Sequence, residues 1–194
     1  MTPAPDSQNG QVAEAEQALF GDTLVATESL PVRLVVGSEL DSAHLQARAE
    51  WLLRTLGQIE SGAIDHDEEH PDPALRRVEA KLDLTLDLLS SVLQTSRPLP
   101  EETRLRWSHL GVSFVSSVDM STHAQAVLHL YLRPWLPTPL ALPVRLLAQQ
   151  AESTGARLWL AFELAHPGLQ RALDKLLFRQ HRRHVAQTRR ESHE

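Results

Sequence analysis

The sequence predicts an α+β protein: an antiparallel barrel or sandwich carrying a two-helix heptad insertion and ending in a helix. Three observations lead there. Apolar residues recur every three or four positions between residues 45 and 93, the period of a helix face. After Pro100 that period gives way to alternation of every second residue, the period of a half-buried strand. The chain has 194 residues, 42% of them hydrophobic, enough to bury the core of a single domain.

Taken in order, residues 1–17 are small and polar, with Pro3 and Pro5, and are expected to be a flexible N-terminus. One domain is expected over 18–190, with an oligomerisation insertion at 38–97 inside it. Residues 32–36 (VRLVV) read as the first strand, bounded by Pro31 and Gly37. Ser38, with Asp41 three positions on, is placed to cap a first helix. Leu45, Ala49, Leu52, Leu56 and Ile59 form its apolar stripe. Asp72 and Pro73 signal the start of a second helix. Leu75, Leu82 and Leu89 lie seven apart, with Val78, Leu86 and Leu93 between them. Sustained spacing of this kind is the sequence form of helices packing knobs into holes. The expectation is therefore a homo-oligomer, with Leu45, Leu52, Leu56, Leu75, Val78, Leu82, Leu86, Leu89 and Leu93 at its core. Leu84 and Leu88 widen the face beyond a two-stranded seam, which suits a bundle of three or more helices.

The later strands are short runs separated by turns: 105–108, 112–115, 126–132, 144–148 and 158–164. Leu128, Leu130 and Leu132 share a face, as do Val144, Leu146 and Ala148. Pro167 and Gly168 open the final helix, whose second half is basic (FRQHRRHVAQTRR).

Composition removes several function classes. Without Cys there is no disulfide, no thiolate metal site and no thiol nucleophile. No phosphate-loop, dinucleotide or hydrolase motif occurs, so no enzyme activity is expected. His66 and His70 match the H-x-x-E-H pattern, but Pro71 and Pro73 follow at once in an acidic connector. That segment reads as a solvated loop, and no metal is expected. Arg179, Arg182, Arg183, Arg189 and Arg190 could meet phosphates, yet the chain carries a net charge of −6 and no base-reading motif. Nucleic acid is therefore not the expected partner, although a nucleic-acid module using this helix is one alternative. No apolar run approaches the roughly 20 residues of a membrane span, and the N-terminus lacks a secretory pattern, so a cytoplasmic location is expected.

Residues 106–111 read Arg-Trp-Ser-His-Leu-Gly, followed by Val-Ser-Phe. This resembles the second signature of PilZ domains, [D/N]-x-S-x-x-G before a strand. The helical insertion and basic ending are similar to the atypical, tetramer-forming PilZ proteins of xanthomonad-type bacteria. The resemblance implies a six-stranded PilZ-like β-barrel, a tetramer, and work through bacterial signalling or motility partners, including virulence. In that family the signature reads a guanine edge of cyclic di-GMP, with an R-x-x-x-R element ahead of the barrel. It thus implies a ligand-binding role for Arg106, Ser108 and Gly111. This chain departs at both elements. Only Arg33 stands before the barrel, and Arg106 replaces an acceptor with a group that only donates. The expectation is a non-enzymatic adaptor that binds cyclic di-GMP weakly or not at all. The alternative is a receptor with a rearranged site, in which Arg97, Arg104 or Arg106 reaches phosphate.

Overall fold

Alternation after Pro100 produces strands whose inward residues fill one core. In the computed structural model six antiparallel strands close into a barrel: β1 (Ala26–Val36), β2 (Glu102–Trp107), β3 (Gly111–Ser116), β4 (Gln125–Leu130), β5 (Leu140–Glu152) and β6 (Gly155–Phe162), in the order β1-β2-β3-β6-β5-β4. The structure describes residues 5–37, 41–62, 98–118, 120 and 125–191, with positions 78, 81, 82, 84–86, 88, 89 and 92 of the insertion. Leu105, Trp107, Val112, Phe114, Leu128, Leu130, Leu142, Val144, Leu158 and Leu160 meet in the barrel core. Closure gives every strand two hydrogen-bonded neighbours.

Helices α1 (Pro5–Phe20), α2 (Ser42–Gly62) and α3 (Pro167–Glu191) pack around it, and the described positions between 78 and 92 are also helical. Ala49, Leu52, Leu53 and Leu56 of α2 and Leu169, Leu173, Leu176 and Leu177 of α3 join the barrel core. Buried Gln46 fixes their crossing. Its carbonyl oxygen accepts from the backbone N–H of Ala165 (2.8 Å) and His166 (3.2 Å), while its amide donates to Ser42 Oγ at 2.8 Å. A buried amide satisfied on both sides carries no desolvation penalty and sets the position of the α3 start. The Glu50 carboxylate lies against Gly168 there, where the helix dipole favours an anion.

Several sequence expectations are corrected. Residues 5–17, expected within a flexible N-terminus at 1–17, belong to α1, and Ala15, Leu19 and Phe20 are buried with Ala148 and Trp159 on the outside of the barrel; residues 1–4 lie outside the described residues. Placing the domain start at 18 therefore cuts through a packed helix. The first strand runs from Ala26, longer than 32–36, and pairs β2 with its first half and β4 with its second. The cap of α2 is Asp41, which accepts from the His44 N–H at 3.2 Å; Ser38 lies outside the described residues. Val144, Leu146 and Ala148 do not share a face. A register shift between Leu146 and Ala148 turns Ala148 outward toward α1, because one extra residue in a strand exchanges its two faces.

The largest correction concerns the oligomer core. Leu52 and Leu56 are 6% and 1% exposed within this single chain, and Leu45 is half-buried on the same side of α2. These three were expected between chains, but Leu52 and Leu56 close this chain's own barrel. A stripe averaging 3.5 residues serves either purpose. Val78, Leu82, Leu86 and Leu89 are helical and exposed; Leu75 and Leu93 lie outside the described residues. Leu56→Ala should therefore act on folding, costing about 2–5 kcal/mol in urea denaturation by leaving a cavity. The particle mass should not change.

Glu28 of β1 predicts a pH effect. Burial raises its carboxyl above the ordinary 4.5, outweighing the Trp107 hydrogen bond and the attraction of Arg133. An acid raised by folding contributes stability in full below its unfolded value, and loses it as pH climbs through the folded value. Glu28→Gln should therefore gain stability over the parent as pH rises from about 4 to about 7. A gain that does not change with pH across that range would contradict the assignment.

Candidate functional site

The signature residues occupy the end of β2 and the turn into β3. The Ser108 N–H donates to Gly111 O at 2.9 Å, closing the turn, and the Leu110 N–H donates to Ser108 Oγ at 3.0 Å. With its acceptor role filled, the hydroxyl donates to Leu19 O of α1 at 2.7 Å. Ser108 is fully buried, and its hydroxyl ties the last turn of α1 to the barrel. Gly111 is required by close approach: a Cβ there would strike Leu160 O and the Leu19 side chain.

Arg106 projects outward between Thr27 and Ser113 of its neighbouring strands. Its guanidinium carbon sits 4.2 Å from the centre of the Phe20 ring, and its Nη1 lies 3.0 Å from Glu16 Oε2. The other Glu16 oxygen accepts from Trp159 Nε1 at 2.8 Å. Arg106, Ser108 and Gly111 are thus brought together by the fold, and all three meet α1. The cation–π contact and ion pair both suit a guanidinium, which donates and stacks but cannot accept.

Neighbouring groups tie the same turn to α3. His109 Nδ1 lies 2.9 Å from Thr23 Oγ1 and 3.1 Å from Asp174 Oδ1. Trp107 points into the barrel, and its Nε1 donates to Glu28 Oε1 at 3.1 Å; Glu28 Oε2 accepts from Gln180 of α3 at 3.2 Å.

Arg33 is not part of this cluster. It pairs with His129 on β4, six residues along β1 from Thr27, or about 20 Å of extended strand. Burial and the Arg33 charge both lower the His129 pKa. Arg104 is exposed on β2, whereas Arg97 and the His66–His70 pair fall outside the described residues. Among the described residues no group of three His, Asp or Glu could hold a metal. Arg179 packs against α2, and Arg182 is exposed; the side chains of Arg183, Arg189 and Arg190 are outside the description.

Residues 53–190 match the family described as atypical PilZ domain, cyclic di-GMP receptor. The chain belongs to the atypical PilZ family. It is also similar, at 34% identity and a TM-score of 0.77, to a solved structure of a pathogenic protein from Xanthomonas campestris. That structure is described as a tetrameric PilZ domain self-assembled via an unusual helical bundle; the match covers 91% of this chain and 98% of that one. No curated protein matches the sequence. The expected six-stranded PilZ barrel is thus confirmed.

Sequence reading missed Glu16, Leu19, Phe20 and Trp159. The spacing of Val12, Ala15, Leu19 and Phe20 is a helical face, and Pro5 suits a first helical turn. Small and polar neighbours hid both signals. Gly111→Ala should overpack the α1 contact and destabilise the domain by about 1–3 kcal/mol or more. Limited proteolysis should then cut within residues 5–20 faster than in the parent.

Proposed function

We propose that this PilZ chain is a non-enzymatic adaptor that assembles into a tetramer through residues 78–92 and displays several copies of its barrel. The observation that carries the reading is an apolar row left exposed among the described residues. Val78, Leu82, Leu84, Leu86, Leu88, Leu89 and Val92 are each 46–64% exposed. Burial of such side chains is worth about 1.5–3 kcal/mol each relative to exposure. Seven together can offset the roughly 4–15 kcal/mol that association costs. The tetramer described for the Xanthomonas campestris protein supports the number four. Several linked barrels would strengthen a weak contact by avidity.

The proposal places the assembly in the cytoplasm, in bacterial signalling that bears on motility or virulence. Its partner there is a protein. No described helix is long and apolar enough to cross a membrane. Enzymatic activity finds no support in the signature cluster, where Arg106, Ser108 and Gly111 are engaged with α1. The same engagement supports weak or absent cyclic di-GMP binding. The receptor reading draws its support from the family description.

Leu82→Glu with Leu89→Glu should lower the molar mass measured by light scattering, because unpaired carboxylates are costly to bury. An unchanged mass would remove the assembly proposal. Calorimetric titration with cyclic di-GMP should give no micromolar heat. A micromolar heat that disappears in Arg106→Ala would favour the receptor reading instead.

A further inference from the structure

A cleft of about 520 Å³ lies between α2 and α3, away from the signature cluster. That is the size of small-molecule sites, about 300–1,000 Å³. Four cations line it, Arg54 from α2 and Arg171, Lys175 and Arg179 from α3, and no carboxylate does. The three α3 cations are spaced four residues apart. They share one helix face, with about 6 Å between successive positions along the axis.

Nearby acids leave this charge only partly balanced. Glu50 lies 2.5 Å from Arg54 and also meets His166 at 3.2 Å. Glu60 is held by Arg133, and its other oxygen is 4.0 Å from Arg179 Nε, beyond hydrogen-bonding range. That Nε is buried and makes no hydrogen bond, while Nη1 donates to Gly57 O at 3.2 Å. Asp174 pairs with His109 instead. Arg171 Nε donates within its own helix to Pro167 O. Lys175 has no ion pair among the described residues. Gly57 matters here because a Cβ would come within 2.8 Å of Arg179 Nη1, so its absence lets the guanidinium lie against α2.

We propose that the α2–α3 cleft binds a small phosphate-bearing anion. Planar guanidinium forks suit tetrahedral oxyanions, and Lys175 adds a mobile point charge. Gln58 contributes an amide at the same wall. The site does not depend on the heptad row, so it can stand or fall apart from self-assembly.

The test is calorimetric titration of the full chain with pyrophosphate at low salt. One saturable site per chain is expected, weakening as salt is added. Arg171→Ala with Lys175→Ala should weaken it at least tenfold, and Lys175→Gln alone by several-fold, with the particle mass unchanged. No saturable heat from the parent would overturn the proposal, as would equal affinity in the double variant. Binding that appears only after Asp67→Asn, Glu68→Gln and Glu69→Gln would also overturn it, because an acidic stretch of the protein would then be the natural occupant.

Discussion

Apolar surface has to leave water, and this chain meets that requirement in two different ways. The leucines of α2 and α3 are buried against their own barrel, where Leu56, Leu169, Leu173 and Leu176 are at most 1% exposed. Among the described residues, the apolar side chains from Val78 to Val92 are exposed instead. Contiguous apolar surface of this kind marks an interaction site. The α2 leucines and the row from Val78 to Val92 both sit in one insertion between β1 and β2, whereas α3 follows β6. On the proposed reading the insertion divides its work: its first helix completes a domain, and its second would offer a joining face.

The signature cluster follows from a second constraint, that a buried or half-buried polar group needs a partner. An acceptor at position 106 would leave the α1 carboxylate Glu16 facing another acceptor. Arg106 instead joins Glu16 and Phe20, and Ser108 satisfies the carbonyl of Leu19. A position that reads a guanine edge in the wider family here fastens a helix to the barrel wall.

How much was legible in the sequence depended on how far each signal reaches. The switch of period near Pro100 is local and repeated, so an antiparallel barrel or sandwich and the insertion could be read from it. The hexapeptide 106–111, whose spacing follows from one turn, gave the family only together with the helical insertion, the strand order and the basic ending. The helix α1 was lost because its apolar face rests on Ala15, Leu19 and Phe20 among acids and glutamines, and is stabilised by a barrel it meets only after folding. The partner of the α2 stripe was misread for a related reason. Period shows that a face is buried, but not which surface covers it. The bulge between Leu146 and Ala148 likewise depends on pairing with β6, and alternation alone gives no sign of it.

Division of the insertion into an inward helix and a joining helix is the central claim. Sedimentation equilibrium of the unmodified chain tests it most directly. The account predicts a particle of about four times 21.7 kDa that persists at micromolar concentration. A particle of 21.7 kDa at every concentration would contradict it, because the row from Val78 to Val92 would then stay in water with nothing to cover it.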